Sequence, residues 1–166
     1  AGREVLPVGA ATVDGARVVY RQADPEHNRL DTTVVGPPDA ARESALAGAS
    51  KAVELIVGAR WDPRFGPTVL VGMGGTATEV LRDVQVALAP VDEAEAIHMI
   101  ERLRTAPLLG EHRGRPAVDL AAAARAVARL SEYAAAHPEI AELEINPLLV
   151  SPSGATALDA RIVKHH

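Results

Sequence analysis

Cysteine is absent from the 166-residue chain, so no disulfide framework, thiolate zinc site or iron–sulfur cluster can form. Aromatic residues are nearly as scarce: Tyr20, Trp61, Phe65 and Tyr133 are the full set. So few rings cannot supply the stacking platform of a single-strand nucleic-acid reader, and they oblige the core to be aliphatic. Lysine occurs only as Lys51 and Lys164 among 17 Lys and Arg residues. The formal charge of −5 carries no basic stripe of the kind that tracks a phosphate backbone. No apolar run reaches the roughly 18 residues of a bilayer-spanning helix, and no secretory signal peptide is expected. These absences point to a cytoplasmic protein with neither nucleic acid nor membrane as partner; a homo-oligomer is left open.

What is present supports a globular core, with 48% apolar residues in a length suited to one domain. Residues 1–50 form an unassigned N-terminal segment. "EVLPVGAATVDGARVVYRQ" reads as a β-hairpin turned at Asp14-Gly15, followed by a loop around a short strand at 32–35. Gly36-Pro37-Pro38 marks a break, after which Asp39 could cap a short helix through Leu46. Residues 51–164 read as a second unit. "AVELIVGARW" and "TVLVG" are strands joined by the six residues "DPRFGP". A Gly-rich loop, "GMGGTATEV", opens a short helix through a Thr76–Glu79 capping box, and "QVALAP" is a further strand. Helices follow near 92–104, with Ala96, Ile97, Ile100 and Leu103 on one stripe, and near 117–136, stopped by Pro138. Two strands close the chain, and His165-His166 reads as a tag remnant. The predicted fold is α+β, a mainly antiparallel sheet packed by two or three helices.

The last two strands carry oxygen-bearing side chains inside apolar runs, in "AELEINPLLVSPSGATALDARIV". A turn at residues 151–154 sets Val150 opposite Ala155, Asn146 opposite Asp159 and Glu144 opposite Arg161. Alternation then places Glu144, Asn146, Asp159 and Arg161 on one face, and Leu143, Ile145, Leu158, Ala160 and Ile162 on the other. Opposed Cβ atoms lie about 4.5–5.5 Å apart, so Asn146 and Asp159 could share one ion. Mg²⁺ takes such hard oxygen donors, often one or two carboxylates plus nucleotide phosphates. Spacing alone also allows, and by itself favours, a solvated face with a Glu144–Arg161 pair.

Glycines ahead of a helix N-terminus, as in Gly72, Gly74 and Gly75, let main-chain N–H groups approach an anion. This is neither the P-loop nor the dinucleotide fingerprint, so a plain capped turn is the competing reading. Glu54, inside "VELIVG", shares a face with Ile56, Gly58 and Arg60; an Arg60 partner, an exposed face and a ligand role are all open. Asp62 and Arg64 suit a turn, and His98 and His137 suit ordinary surface positions. No nucleophile–base pair stands out.

Taken in order, "VELIVGARWDPRFGPTVLVGMGGTATEVLRDV", "APLLGEHRGRP" and "AELEINPLLV…ALDARIV" resemble the C-terminal part of the ATP-grasp domain of ADP-forming acyl-CoA synthetases. The resemblance runs from about residue 52 to 163; Thr76, Ala77 and Thr78 after the double glycine are similar to the acetyltransferase-linked actinobacterial branch. It implies an ATP-grasp-like lobe that holds ATP and Mg²⁺ and supports phosphoryl transfer to a histidine on another domain or subunit. By motif, Asn146 and Asp159 match the family's Mg²⁺ ligands, with Glu144 in the same Glu-x-Asn-Pro string. Glu54 matches a residue near the nucleotide, and Gly74 and Gly75 match the loop beside the phosphates. The family's lysine-bearing lobe has no match in residues 1–50, which hold no lysine, and neither Lys51 nor Lys164 fits its motif. No segment resembles the CoA-binding domain that carries the histidine. The implied partners are therefore that missing lobe and that domain or subunit, and the chain alone is expected not to be a competent ligase. A degenerate, non-catalytic structural or regulatory module is the alternative.

Overall fold

The computed structural model describes residues 7–13, 16–24, 29–35, 52–75, 83–112 and 114–165, the first three stretches as main chain. Its strands are β1 (Pro7–Val13), β2 (Ala16–Asp24), β3 (Arg29–Val35), β4 (Val53–Asp62), β5 (Gly66–Met73), β6 (Val84–Leu88), β7 (Ile140–Ser151), β8 (Gly154–Ala157) and β9 (Ala160–Lys164). They form one nine-stranded sheet in the order β1-β2-β3-β9-β7-β4-β5-β6, with β8 also paired to β7. Every pairing is antiparallel. Helices α1 (Glu93–Glu101) and α2 (Leu120–Ala136) pack on this sheet, so the α+β expectation holds. Among the described residues no helix is long and apolar enough to cross a membrane.

The first hairpin pairs Val13 with Ala16; the expected Asp14-Gly15 turn lies outside the described residues, as do the 36–38 break, the 39–46 helix and the Thr76–Glu79 capping box. Strand β3 is longer than the 32–35 run expected. It joins the C-terminal half of the sheet by pairing Leu30 with Ile162 and Asp31 with Arg161 of β9.

Alternation governs β4. Val53, Leu55, Val57 and Ala59 are buried, whereas Glu54, Ile56, Gly58 and Arg60 face the other way. The link to β5 is shorter than the six residues expected, only Pro63, Arg64 and Phe65. Asp62 Oδ1 accepts from the Arg64 and Phe65 amides at 2.8 and 3.1 Å, and Gly66 takes a φ of 78°. The side chain thus replaces main-chain partners in the turn, which lets the ladder run on to Asp62↔Gly66.

Strand β7 departs from simple alternation. Leu55 of β4 pairs with Leu148, but Val57 pairs with Ile145, so β7 carries one extra residue at Asn146-Pro147. A bulge of this kind reverses which side chains face in. Leu143 lies inward before it, and Leu148 and Val150 lie inward after it. The predicted β7–β8–β9 register is present from Ser151↔Gly154 to Glu142↔Val163, with Val150↔Ala155, Ile145↔Ala160 and Glu144↔Arg161, and shifts by one only at Ile140↔Lys164. The expected apolar face is corrected at one residue. Leu158 is exposed and Ala157 packs on the core, because the kink interrupts the returning strand between β8 and β9.

Both helices begin at aspartates. Asp92 Oδ1 accepts from Glu95 N at 2.8 Å, with Glu93 and Glu95 complementing the helix dipole. Asp119 Oδ1 accepts from Ala122 N at 2.9 Å; this cap delays α2 to Leu120, three residues past the predicted start. Alanines 123, 124 and 128 on the buried side let the α2 axis approach the sheet closely. Helix α1 buries Ala96, Met99 and Ile100, and Leu103 just beyond it, while Ile97 is only partly covered.

Ser131, fully buried on α2, donates to the Ala128 carbonyl at 2.7 Å and accepts from Val91 N at 3.0 Å. It thereby ties the segment entering α1 to α2. Ser131→Ala orphans the Val91 amide and should cost about 1–3 kcal/mol, read as a lower urea midpoint at unchanged slope.

Candidate functional site

Glu54, Gly74 and Gly75, far apart in the sequence, meet where β4 begins and β5 ends. The Gly74 amide donates to the Glu54 carbonyl at 2.6 Å. A Cβ on Gly74 would lie 2.9 Å from the Glu54 carbonyl carbon and Cβ, so only glycine permits this approach. Gly75 has a φ of 82°, and a Cβ there would stand 3.4 Å from Glu54 Oε2. The Glu54 carboxylate is exposed beside two bare main-chain positions. It makes no ion pair with Arg60, whose direct cross-strand neighbour on β7 is Glu142.

The second cluster sits at the β7 kink. The Asn146 amide N–H donates to the Asp159 carbonyl at 3.1 Å, which fixes these residues opposite each other. Asn146 Nδ2 donates to Glu144 Oε1 at 3.4 Å, which leaves the amide oxygen Oδ1 for another partner. Arg161 lies across from Glu144, with Nη2 at 3.8 Å from Oε2, and it also pairs with Glu142. The expected Glu144–Arg161 cross-strand pair is therefore present. The Asp159 side chain is exposed, with no ion pair or hydrogen bond among the described residues. No three His, Cys, Asp or Glu side chains converge there. A cation would thus draw on an amide oxygen as well as carboxylates, and Asn146 supplies one. Two carboxylates and an amide oxygen form a hard, all-oxygen donor set, which fits Mg²⁺.

The two clusters share one face of the sheet. Gly58, on the Glu54 face of β4, pairs directly with Glu144, and paired residues project to the same side. The helices cover the opposite face. Ile56 lies between Glu54 and Gly58 on this face, and a Cβ on Gly58 would clear Leu143 O by 3.6 Å. The histidines stand apart as expected: His98 lies 3.7 Å from Glu101, and His137 stacks on Tyr133 at 3.9 Å.

Sequence reading missed Asp83, a carboxylate buried at 4% exposure just before β6. Its Oδ1 accepts from Arg104 N at 2.9 Å and its Oδ2 from Thr105 N at 2.8 Å; the Thr105 hydroxyl donates to Oδ2 as well. Burial by itself raises the carboxyl pKa. The Thr105 hydroxyl, the two amides and the Arg104 charge outweigh it and hold the group below its ordinary value. No local signal marks this residue, because its partners lie 21 and 22 positions away.

Comparison with known proteins identifies the family. The ATP-grasp domain model matches residues 37–163. The chain is 39% identical over 110 residues to the acetate–CoA ligase (ADP-forming) I subunit beta of Pyrococcus furiosus, covering 66% of this chain and 47% of that one. A second relative, acetate–CoA ligase (ADP-forming) II of Archaeoglobus fulgidus, aligns at 31% identity over 98% of this chain and 24% of its own. Among solved structures, the dinucleotide-forming acetyl-coenzyme A synthetase 1 of Ca. Korarchaeum cryptofilum superposes with a TM-score of 0.66 at 41% identity, over 68% of this chain and 53% of that one. That structure holds coenzyme A and Mg-AMPPCP, with a phosphohistidine segment pointing towards the nucleotide binding site. The chain thus spans about half the length of the first relative and of this structure. The chain belongs to the ATP-grasp family, and it is similar to the C-terminal part of that domain in ADP-forming acyl-CoA synthetases.

Proposed function

We propose that this chain is the Mg·ATP-binding lobe of an ADP-forming acyl-CoA synthetase and supports phosphoryl transfer from ATP to a histidine on another domain or subunit. The observation that carries the reading is that Glu54, meeting Gly74 and Gly75, lies on the same face of the sheet as Glu144, which holds Asn146, opposite the face packed by α1 and α2. Asp159 and the Asn146 Oδ1 would hold Mg²⁺, with Glu144 beside them. The ion would neutralise phosphate charge, which is the main demand of phosphoryl transfer. Gly74 and Gly75 leave space for a phosphate close to the main chain, and the Glu54 carboxylate would accept from a nucleotide donor group. The histidine, the CoA-binding domain and the lysine-bearing lobe would come from elsewhere in the protein or from a partner subunit.

Calorimetric titration with Mg·ATP tests this, with the parent protein or the partner lobe supplied. Mg²⁺-dependent binding should weaken at least tenfold in Asp159→Asn, and labelled ATP should then phosphorylate the histidine-bearing domain. Absence of Mg²⁺-dependent binding would favour a degenerate, non-catalytic module. Binding without phosphoryl transfer would favour a regulatory one.

A further inference from the structure

The Glu54–glycine contact depends on the end of β5 being held in place, and β5 is backed there by an edge strand. The β5–β6 ladder stops at Gly72↔Val84, and β6 is the last strand of the sheet. Beyond that point the neighbour of Met73 is Asp83, whose carbonyl accepts from the Met73 amide at 3.4 Å. The fit is close: a Cβ on Gly72 would lie 3.0 Å from the same Asp83 carbonyl. The next residue, Gly74, donates to Glu54.

We infer that Asp83 is a positioning residue for this site. Its carboxylate is anchored in the corner after α1, and its carbonyl holds the end of β5 so that Gly74 and Gly75 meet Glu54. The chain of contacts is continuous. Arg104 N, Thr105 N and the Thr105 hydroxyl grip the carboxylate, and Asp83 O receives Met73 N. Gly74 N then reaches Glu54 O. A carboxylate buried at a sheet edge is costly unless it is fully hydrogen-bonded; here each oxygen has a main-chain donor, and charge-assisted bonds of this kind are the strong ones. A side chain from β6 alone could not give that rigidity, because an edge strand is hydrogen-bonded on one side only. The consequence for nucleotide binding rests on the proposed function; the placement of Gly74 does not.

Amide hydrogen exchange separates the two. In Asp83→Asn, the side-chain amide turns a donor toward Arg104 N or Thr105 N, and the Gly74 amide should exchange at least tenfold faster relative to the Val71 amide than in the wild type. Thr105→Ala, which removes one of the three donors and keeps the fold, should accelerate Gly74 about threefold. Ser131→Ala serves as the control for lost stability, since it lies on α2 away from this corner, and it should leave Gly74 exchange relative to Val71 as in the wild type. Unchanged Gly74 exchange in both Asp83→Asn and Thr105→Ala would overturn the inference, whatever the nucleotide result. Mg·ATP affinity is measured on the same proteins in the parent assembly. If the wild type binds, Asp83→Asn should bind at least tenfold more weakly while Ser131→Ala binds normally; equal weakening in the two would reduce Asp83 to a general stabilising role and also overturn the inference. If the wild type does not bind, the nucleotide reading fails and the exchange data still decide the role of Asp83.

Discussion

Replacing Asp83 with alanine should destabilise the fold by about 3–5 kcal/mol, among the largest effects of any single substitution of a polar side chain here. The substitution removes the acceptor for two main-chain amides and one hydroxyl, and a buried donor left unpaired costs about 1–3 kcal/mol. The Arg104 side chain is mostly exposed, so its 3.8 Å approach adds little. The pH dependence carries a sign that can be checked. The folded carboxyl sits below its ordinary value of about 3.8, so its contribution is fully present above that pH. It is lost as the pH falls through the lower folded pKa, because the unfolded state binds the proton first. Urea midpoints measured downward from pH 5 should fall steeply below about pH 4 in the wild type and less steeply in Asp83→Asn. Equal acid slopes would show that other carboxylates dominate this limb.

Gly74→Ala should cost about 3 kcal/mol and remove Mg·ATP binding, whereas Gly58→Ala on the same face should be nearly neutral for stability. The difference lies in what the new methyl group meets. At Gly74 it would lie 2.9–3.0 Å from the main chain of Glu54, and two hydrogen-bonded strands cannot separate without losing the 2.6 Å Gly74–Glu54 bond. Overpacking of this kind costs about 1–3 kcal/mol, with the lost hydrogen bond in addition. At Gly58 the nearest atom is 3.6 Å away, an ordinary contact, and reduced unfolded-state entropy offsets part of any loss. Gly75→Ala falls between: its φ of 82° costs a side chain roughly 1–2 kcal/mol. Thermal unfolding and Mg·ATP titration of the three variants check the order. A Gly74→Ala protein as stable as Gly58→Ala would show that the main chain can yield there.

Local signals carried much of the fold. Period-two alternation identifies β4 and β5, an apolar stripe and the stop at Pro138 locate the helices, and one turn at residues 151–154 sets the register of the C-terminal hairpin as far as Glu142↔Val163. Each is an interaction between residues near in sequence, so it can be read without knowing what lies opposite. The errors have a common origin. Strict alternation carried through Asn146-Pro147 puts Leu158 inward, and the extra residue there is visible only against β4. The connection after Asp62 is shorter than the sequence suggests because the side chain, rather than a run of loop residues, makes the turn.

The sequence by itself determined the chemistry on offer: an all-oxygen donor set at 144, 146 and 159, glycines at 74 and 75, and no thiolate or basic surface. Composition and hairpin spacing are sufficient for that, since donor type is a property of each residue and the β7–β9 register follows from one turn. Only the tertiary structure decided that Glu54 meets Gly74 and Gly75, that Gly58 pairs with Glu144, and that the Asp83 carboxylate is held by the corner after α1. Those contacts join residues 20 to 86 positions apart, and their geometry is set by which strands become neighbours in the sheet. Strand order is chosen by burial of the whole apolar face against α1 and α2, a global balance that no short stretch of sequence contains.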